Sequence, residues 1–372
     1  MSRVRARGEE IRRFILENVE EHAGDIARLT SDHFQITRQA ANKHLKRLSR
    51  EGALSEDGQT RNRSYILAPK VDWAQDYELS TSLEEDLLWH NDISKILGQQ
   101  PENVLDIWQY GVTEMLNNAR DHSGGANLRV LIRKTSVNTE MAIIDDGVGI
   151  FRKIQKEMNL LDERHAIFEL AKGKLTTDPK RHTGEGIFFT SRMFDSFIIF
   201  SGGVFFSHEY GKDEDWLLEE RNPNQGTAVW LKLNNHTART LKKVFDKFTS
   251  GEEGDYGFTK TVVPVKLAQY GNDKLISRSQ AKRVLARVEL FKTVMFDFAD
   301  VPTIGQAFAD EIFRVFANEH PEIEILAVKA NSEVKRMIER AKSGTSGIAT
   351  LNALRDLMIA NPPTEPTEGG TQ

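Results

Sequence analysis

Glu114-Met115-Leu116-Asn117-Asn118-Ala119-Arg120-Asp121-His122 is followed by Asp145-Asp146-Gly147-Val148-Gly149-Ile150 and then by His182-Thr183-Gly184-Glu185-Gly186-Ile187. On a helix Glu114 and Asn118 lie four apart and share a face, with Asp121 and His122 close to it one turn on. A carboxylate and an amide oxygen on one face can serve a metal ion and a water together. In the second stretch the strand Met141-Ala142-Ile143-Ile144-Asp145 ends in a carboxylate, and the two glycines that follow let backbone come close to a ligand. The third stretch is a loop that opens a helix, where free N–H groups can face phosphates. Taken singly, Glu-x-x-x-Asn describes many solvated helix faces. The information lies in the fixed order of all three.

Around these motifs, helices are expected over 82–97 and 102–122 and strands near 127–134, 139–145, 196–206 and 227–233. Residues 81–235 therefore read as an α/β sandwich. Upstream, residues 1–70 read helix, helix, helix, hairpin, the order of a winged helix-turn-helix. Ile11, Phe14, Ile15 and Val19 stripe the first helix, and Ile26, Leu29 and Phe34 the second, which Asp25 caps. Thr37 caps a third helix that turns Ala41, Leu45 and Leu48 inward and stops at Gly52. Its other face carries Arg38, Gln39, Asn42, Lys43 and Lys46, and the hairpin around Asp57-Gly58 carries Arg61 and Arg63. Residues 71–80, polar with scattered aromatics, are expected to be a linker, and 236–271 a polar connector. A small α/β unit over 272–342 then reads helix (278–289), buried strand (Val294–Ala299), helix (304–319), strand (Glu324–Ala330) and helix (331–341). The tail, 343–372, is expected to be flexible and disordered at its end. The fold class is thus multidomain α/β.

With 372 residues, 39% of them hydrophobic, the chain can bury more than one core. The absence of cysteine excludes a disulfide framework, a thiolate metal site and a cysteine nucleophile, and suits a reducing compartment. The start runs straight into a charged amphipathic segment, and no later stretch approaches the roughly 18 to 20 apolar residues of a membrane span. A cytoplasmic protein with no membrane partner is expected. A net charge of -5 argues against nucleic-acid binding over the whole surface. The charge is uneven, however: between Gln35 and Arg63, Arg38, Lys43, Lys46, Arg47, Arg50, Arg61 and Arg63 outnumber Glu51, Glu56 and Asp57. Phosphate contacts supply affinity, and Arg38, Gln39 and Asn42 are residue types that read base edges, so double-stranded DNA is the expected partner. Protein contact is the alternative use of this module. Winged helices commonly act as symmetric pairs, which makes a homodimer an expectation too.

The three ordered motifs resemble those of the GHKL ATPase superfamily, which includes histidine kinases, gyrases and anti-sigma-factor kinases, over residues 81–235. The resemblance implies a Bergerat-type α/β sandwich with ATP and Mg2+ as cofactors. It implies Mg2+ on Asn118, a general base at Glu114, the adenine amino group on Asp145, and a pocket shaped by Gly147 and Gly149. It places phosphates at Gly184 and Gly186, with Thr183 alongside, and an ATP lid over 151–182. Mg2+ takes only one or two oxygens from protein in such sites, so one Asn118 oxygen suffices. Lys172, Lys174, Lys180 and Arg181 are candidates to offset phosphate charge.

The stretch Phe291–Phe316 resembles the STAS-like fold of anti-sigma-factor antagonists, over about 272–342, which implies a protein partner. Those antagonists carry an acceptor serine before a helix, where this chain has Ile304-Gly305-Gln306-Ala307. Thr303, two or three positions earlier, is the substitute acceptor this stretch offers, though it reads rather as a helix cap. His90 is the candidate phosphoacceptor of a sensor kinase, but its segment reads as a helix packing through Leu87, Leu88, Ile93 and Leu97. Two functions follow: an ATP-binding, hydrolysing regulator of transcription or signalling that binds DNA, and a Ser/Thr protein kinase of the anti-sigma type acting on itself or a partner.

Overall fold

The computed structural model describes residues 3–58, 63–80, 83–176, 183–211, 216–219, 225–249, 257–269 and 274–343. The chain forms two compact units, Met1–Lys247 and Phe248–Gln372. The first opens with three helices, α1 (Arg3–Asn18), α2 (Ile26–Phe34) and α3 (Arg38–Arg50), and an antiparallel hairpin, β1 (Leu54–Asp57) and β2 (Ser64–Leu67). Ile11, Ile15, Val19, Ile26, Leu45, Leu48, Leu54, Tyr65 and Leu67 make one core, with Leu29 and Phe34 partly buried against it. Thr37 caps α3, its hydroxyl accepting from the Ala40 N–H at 3.2 Å. Asp25 makes no such capping bond. Its carboxylate instead meets His22 and Arg28.

Residues 71–78, expected as part of a linker, are strand β3 (Val71–Glu78), paired along its length with β4 (Asn127–Lys134). It is the edge of a sheet, and five of its eight side chains are exposed, which is why its sequence reads as polar. After it, α4 (Glu85–Leu88) passes through a π-helical turn (Trp89–Ile93) into α5 (Ser94–Leu97). Leu88, Ile93 and Leu97 are buried as expected, but Leu87 is exposed. The long helix α6 (Glu102–His122) buries Val104, Ile107, Trp108, Val112, Met115, Leu116 and Ala119. The sheet continues with β5 (Asn138–Asp145). Helices α7 (Ile150–Glu157), α8 (Glu163–Lys172) and α9 (Gly186–Met193) then lead to β6 (Ser196–Ser201), β7 (Val204–Glu209), β8 (Trp216–Glu219) and β9 (Thr227–Asn234). The order is β3-β4-β5-β9-β6-β7-β8, antiparallel throughout. The stretch expected as one strand over 196–206 is the hairpin β6–β7, because Gly202 and Gly203 both take positive φ, 64° and 90°. Alternate residues of β4, β5, β6 and β9 are buried, the period expected of a sheet with one face under helices.

The segment expected as a lid over 151–182 is, in its described part, largely helical. In α8, Ala166, Ile167, Phe168, Leu170 and Ala171 are all buried, so this helix belongs to the body of the sandwich. The three-helix module is tied to the sheet by Glu20, whose carboxylate accepts from Asn138 Nδ2 at 3.2 Å and from Lys232 Nζ at 2.8 Å. Val137 packs against the core of that module beside this tie.

The described part of the supposed connector 236–271 contains a helix, a strand and a 3-10 turn, Val265–Ala268. Helix α10 (Leu241–Asp246) closes the first unit, and β10 (Lys260–Pro264) is the first strand of the second. That strand pairs in parallel with β11 (Thr293–Asp297), a contact between segments far apart in sequence that local patterning does not reveal. Between them lies α11 (Arg278–Leu285), opened by a Ser277/Gln280 capping box. After β11, α12 (Gln306–Asp310) runs through a π-helical stretch (Glu311–Phe316) into α13 (Ala317–Glu319). Strand β12 (Glu324–Val328) joins β11 in parallel, and a helix over 332–343 ends the described chain.

Candidate functional site

A cavity of about 270 Å3 in the first unit is lined by α6, β5, α7, the end of α8, residues 175–176 and 183–184, the start of α9, β6 and β9. It collects residues from all three motifs: Glu114 and Asn118, Asp145, and Thr183, Gly184 and Gly186. Gly147 and Gly149 do not line it. They shape the turn that carries Asp145 into α7, with Gly149 at a φ of 88°.

Asp145 closes β5 and is 7% exposed. Its Oδ1 accepts from the Gly147 N–H at 2.9 Å and the Thr227 N–H at 3.3 Å. Burial raises its pKa above the usual carboxylate value, and these donors offset only part of that. Its neighbour Asp146 behaves oppositely: bonds from the backbone and side chain of Asn127, and from Ala126, hold its pKa low. Two adjacent aspartates are thus sorted by environment, one fastening a loop and the other facing the cavity.

Glu114 is held above its ordinary pKa first by burial and then by the charge of Glu185. Its carboxylate lies against Gly186, where a Cβ would overlap Oε2, so a side chain at that position of the third motif would push the acid of the first aside. Gly184 has a φ of 72° and sits on the backbone of Leu175, which a side chain would displace. The Asn118 amide leaves Nδ2 buried without a partner. Amide nitrogen and oxygen exchange places by a flip about the terminal bond, and the flipped amide offers an unpaired oxygen, the hard donor that Mg2+ prefers. A buried carboxyl and an amide able to present oxygen are donor types that a bound magnesium nucleotide would require.

The candidate cations separate. Lys172 is fully buried, paired with Glu169 at 2.7 Å and lying 4.4 Å from the Phe168 ring centroid, and it does not line the cavity. Lys174 acts on Glu185, partly offsetting the rise that burial gives that carboxyl. Lys180 and Arg181, with His182, lie outside the described residues. Among the described residues, the lysine that lines the cavity is Lys153, in α7. Sequence reading missed it. Its signal was present: Lys153 follows Ile150 by three, so the two share a face of the helix opened by the second motif.

On the N-terminal module, Arg38, Gln39, Asn42, Lys43 and Lys46 are all exposed on α3. Gln39, Asn42, Lys43 and Lys46 line an open groove with Arg63 and Tyr65 of the hairpin. Arg63 is half-buried and 3.3 Å from Glu56, and Arg61 lies outside the described residues. In the second unit the residue at the N-cap of α12 is Gly305, not Thr303, which sits half-buried in the preceding loop. His90 is exposed, 3.9 Å from Asp86. Among the described residues no helix is long and apolar enough to cross a membrane.

Fold and cavity define a multidomain α/β protein with a helix-and-hairpin module, a seven-stranded antiparallel sheet packed with helices and a small parallel-sheet domain. That last domain is STAS-like: residues 280–335 match the family described as a STAS-like domain of unknown function (DUF4325). Comparison with curated proteins gives no match.

Proposed function

We propose that this chain is an ATP-binding and ATP-hydrolysing regulator in which a GHKL-type site, over residues 81–235, shares a chain with a DNA-binding winged helix at 1–70. The observation that carries the reading is the convergence of three separated motifs on one cavity, with a buried carboxyl at Asp145 and a buried, unpartnered Nδ2 at Asn118. In this reading Asp145 accepts from the adenine amino group while its other bonds fix its orientation. The N–H groups at Gly184 and Gly186, opening α9, receive phosphate oxygens. Mg2+ held by Asn118 supplies charge compensation to the phosphates when bound. Glu114 orients the attacking water and takes its proton. Burial supports that role, because a base whose pKa lies nearer neutrality releases and takes protons at less cost.

The exposed basic face of α3 supports double-stranded DNA as the partner. The test is purified protein with γ-labelled ATP and Mg2+, scored for free phosphate and for protein-bound label beside Glu114→Ala and Asn118→Ala, followed by a mobility shift on DNA fragments. Free phosphate lost in both variants supports the hydrolysing switch. No nucleotide binding, or no saturable DNA binding with or without ATP, overturns the corresponding half. The STAS-like match favours one second reading, a Ser/Thr kinase acting on itself or a partner, and this predicts label retained on protein in the same tube.

A further inference from the structure

Two acidic side chains, Glu114 and Asp145, line a cavity proposed to take a polyanion, and the basic residues first expected to balance that charge do not all face it. Lys172 is committed to Glu169, and Lys174 acts on Glu185. Among the described lining residues the one ammonium is that of Lys153. It donates to the carbonyl of His122 at 2.9 Å and lies 3.7 Å from the Glu157 carboxylate.

Both partners are weak holds. The carbonyl is neutral, and the carboxylate is 40% exposed and beyond hydrogen-bonding distance. An ammonium has three donors on a flexible four-carbon stem, so it can turn to a new acceptor without disturbing α7. His122 follows Asn118 by one helical turn, and Lys153, His122 and Asn118 all line the same cavity.

Resting on the nucleotide reading above, we infer that Lys153 is a phosphate-binding residue, positioning the phosphate chain of the nucleotide by moving an N–H donor from the His122 carbonyl to a phosphate oxygen. The ligand chemistry it selects is a nucleoside polyphosphate over the bare nucleoside.

The experiment is calorimetric titration of the full chain with ATP and Mg2+ and, separately, with adenosine, for the parent, Lys153→Met, Lys153→Arg and Glu157→Gln. Loss of one charge-assisted bond is expected to weaken ATP about 10- to 100-fold in Lys153→Met. Adenosine affinity is expected to stay within twofold, Lys153→Arg to recover most of the loss, and Glu157→Gln to bind ATP at least as well as the parent. A parent that binds adenosine and ATP with no difference in Lys153→Met overturns this inference alone. Equal losses for adenosine and ATP, with a lowered Tm, assign Lys153 a structural role and also overturn it. A parent that binds neither ligand overturns the nucleotide reading, and this inference with it.

Discussion

Replacing Lys172 by methionine separates structure from phosphate chemistry. Lys172 and Glu169 are 0% and 1% exposed, with Nζ and Oε1 2.7 Å apart one turn along α8. Charges removed from water this completely cost free energy, and their attraction repays it only while both are present. Lys172→Met leaves the Glu169 carboxylate buried without its ammonium, a change that costs about 3 to 5 kcal/mol. For a unit the size of Met1–Lys247, at about 2 to 4 °C per kcal/mol, Tm falls by about 6 to 20 °C. Removing both charges, in Lys172→Met with Glu169→Leu, recovers most of that, since an apolar pair of similar volume is close to neutral. The assay is a circular-dichroism melt of the three proteins, with ATP titration well below every transition, where affinity stays within about twofold of the parent. The reasoning fails if the single variant melts with the parent or the double variant melts below the single. It fails equally if ATP affinity drops tenfold while Tm holds, which would return Lys172 to the phosphates.

The cavity carboxyls make a pH prediction. Burial raises Asp145 and Glu114 above their unfolded values, so the folded state binds their protons more tightly and stability falls as pH rises through the carboxylate range. Asp145→Asn and Glu114→Gln therefore raise Tm near neutral pH, and the gain shrinks below about pH 4. Glu114→Gln also loses about 100- to 10,000-fold in turnover by phosphate release, the usual share of a general base. Gly186→Ala drives a methyl into the Glu114 carboxylate, so turnover falls by at least about 100-fold with ATP still bound. A variant at that glycine with parental turnover would show that the contact is irrelevant. On DNA, Lys43→Ala or Lys46→Ala lowers affinity evenly across sequences and reduces the salt slope by about one, whereas Asn42→Ala relaxes base preference by about 1 to 3 kcal/mol. Identical salt slopes in parent and lysine variants would remove α3 from the interface.

What could be read in advance was local. The register of Glu114 and Asn118, the carboxylate at the end of β5, the Thr37 cap and the inward Ala41, Leu45 and Leu48 all follow from spacing within one or two turns, and the structure has them so. What escaped depends on neighbours distant in sequence. Strand β3 is legible only once β4 lies beside it, and β10 only beside β11. Lys172 looked like a phosphate ligand because lysine in a Gly- and Lys-containing stretch usually faces water. Its true partner, three residues earlier, is apparent only when α8 is seen to be buried all round. Thr303 seemed a cap by residue type, yet the chain turns into α12 two residues later, at Gly305.

Strand β5 ties these observations together. Its first residue, Asn138, donates to Glu20 of the N-terminal module, and its last, Asp145, lines the cavity. Seven steps of antiparallel strand separate them, roughly 24 Å of backbone. β4 and β9 bond to it on either side, so it cannot stretch. At the Asn138 end, Lys232 of β9 lies opposite Glu140 of β5 and also donates to Glu20. Burial lowers the Lys232 pKa, but bonds to Glu20 and Glu140 outweigh it and keep the ammonium charged. A partly exposed ion pair of this kind is a weak fastening by itself. Val137 supplies the apolar contact beside it, at the turn between β4 and β5. The grip on the module thus combines a short apolar plug with a screened ion pair, so rising salt loosens the ion pair and leaves the plug in place.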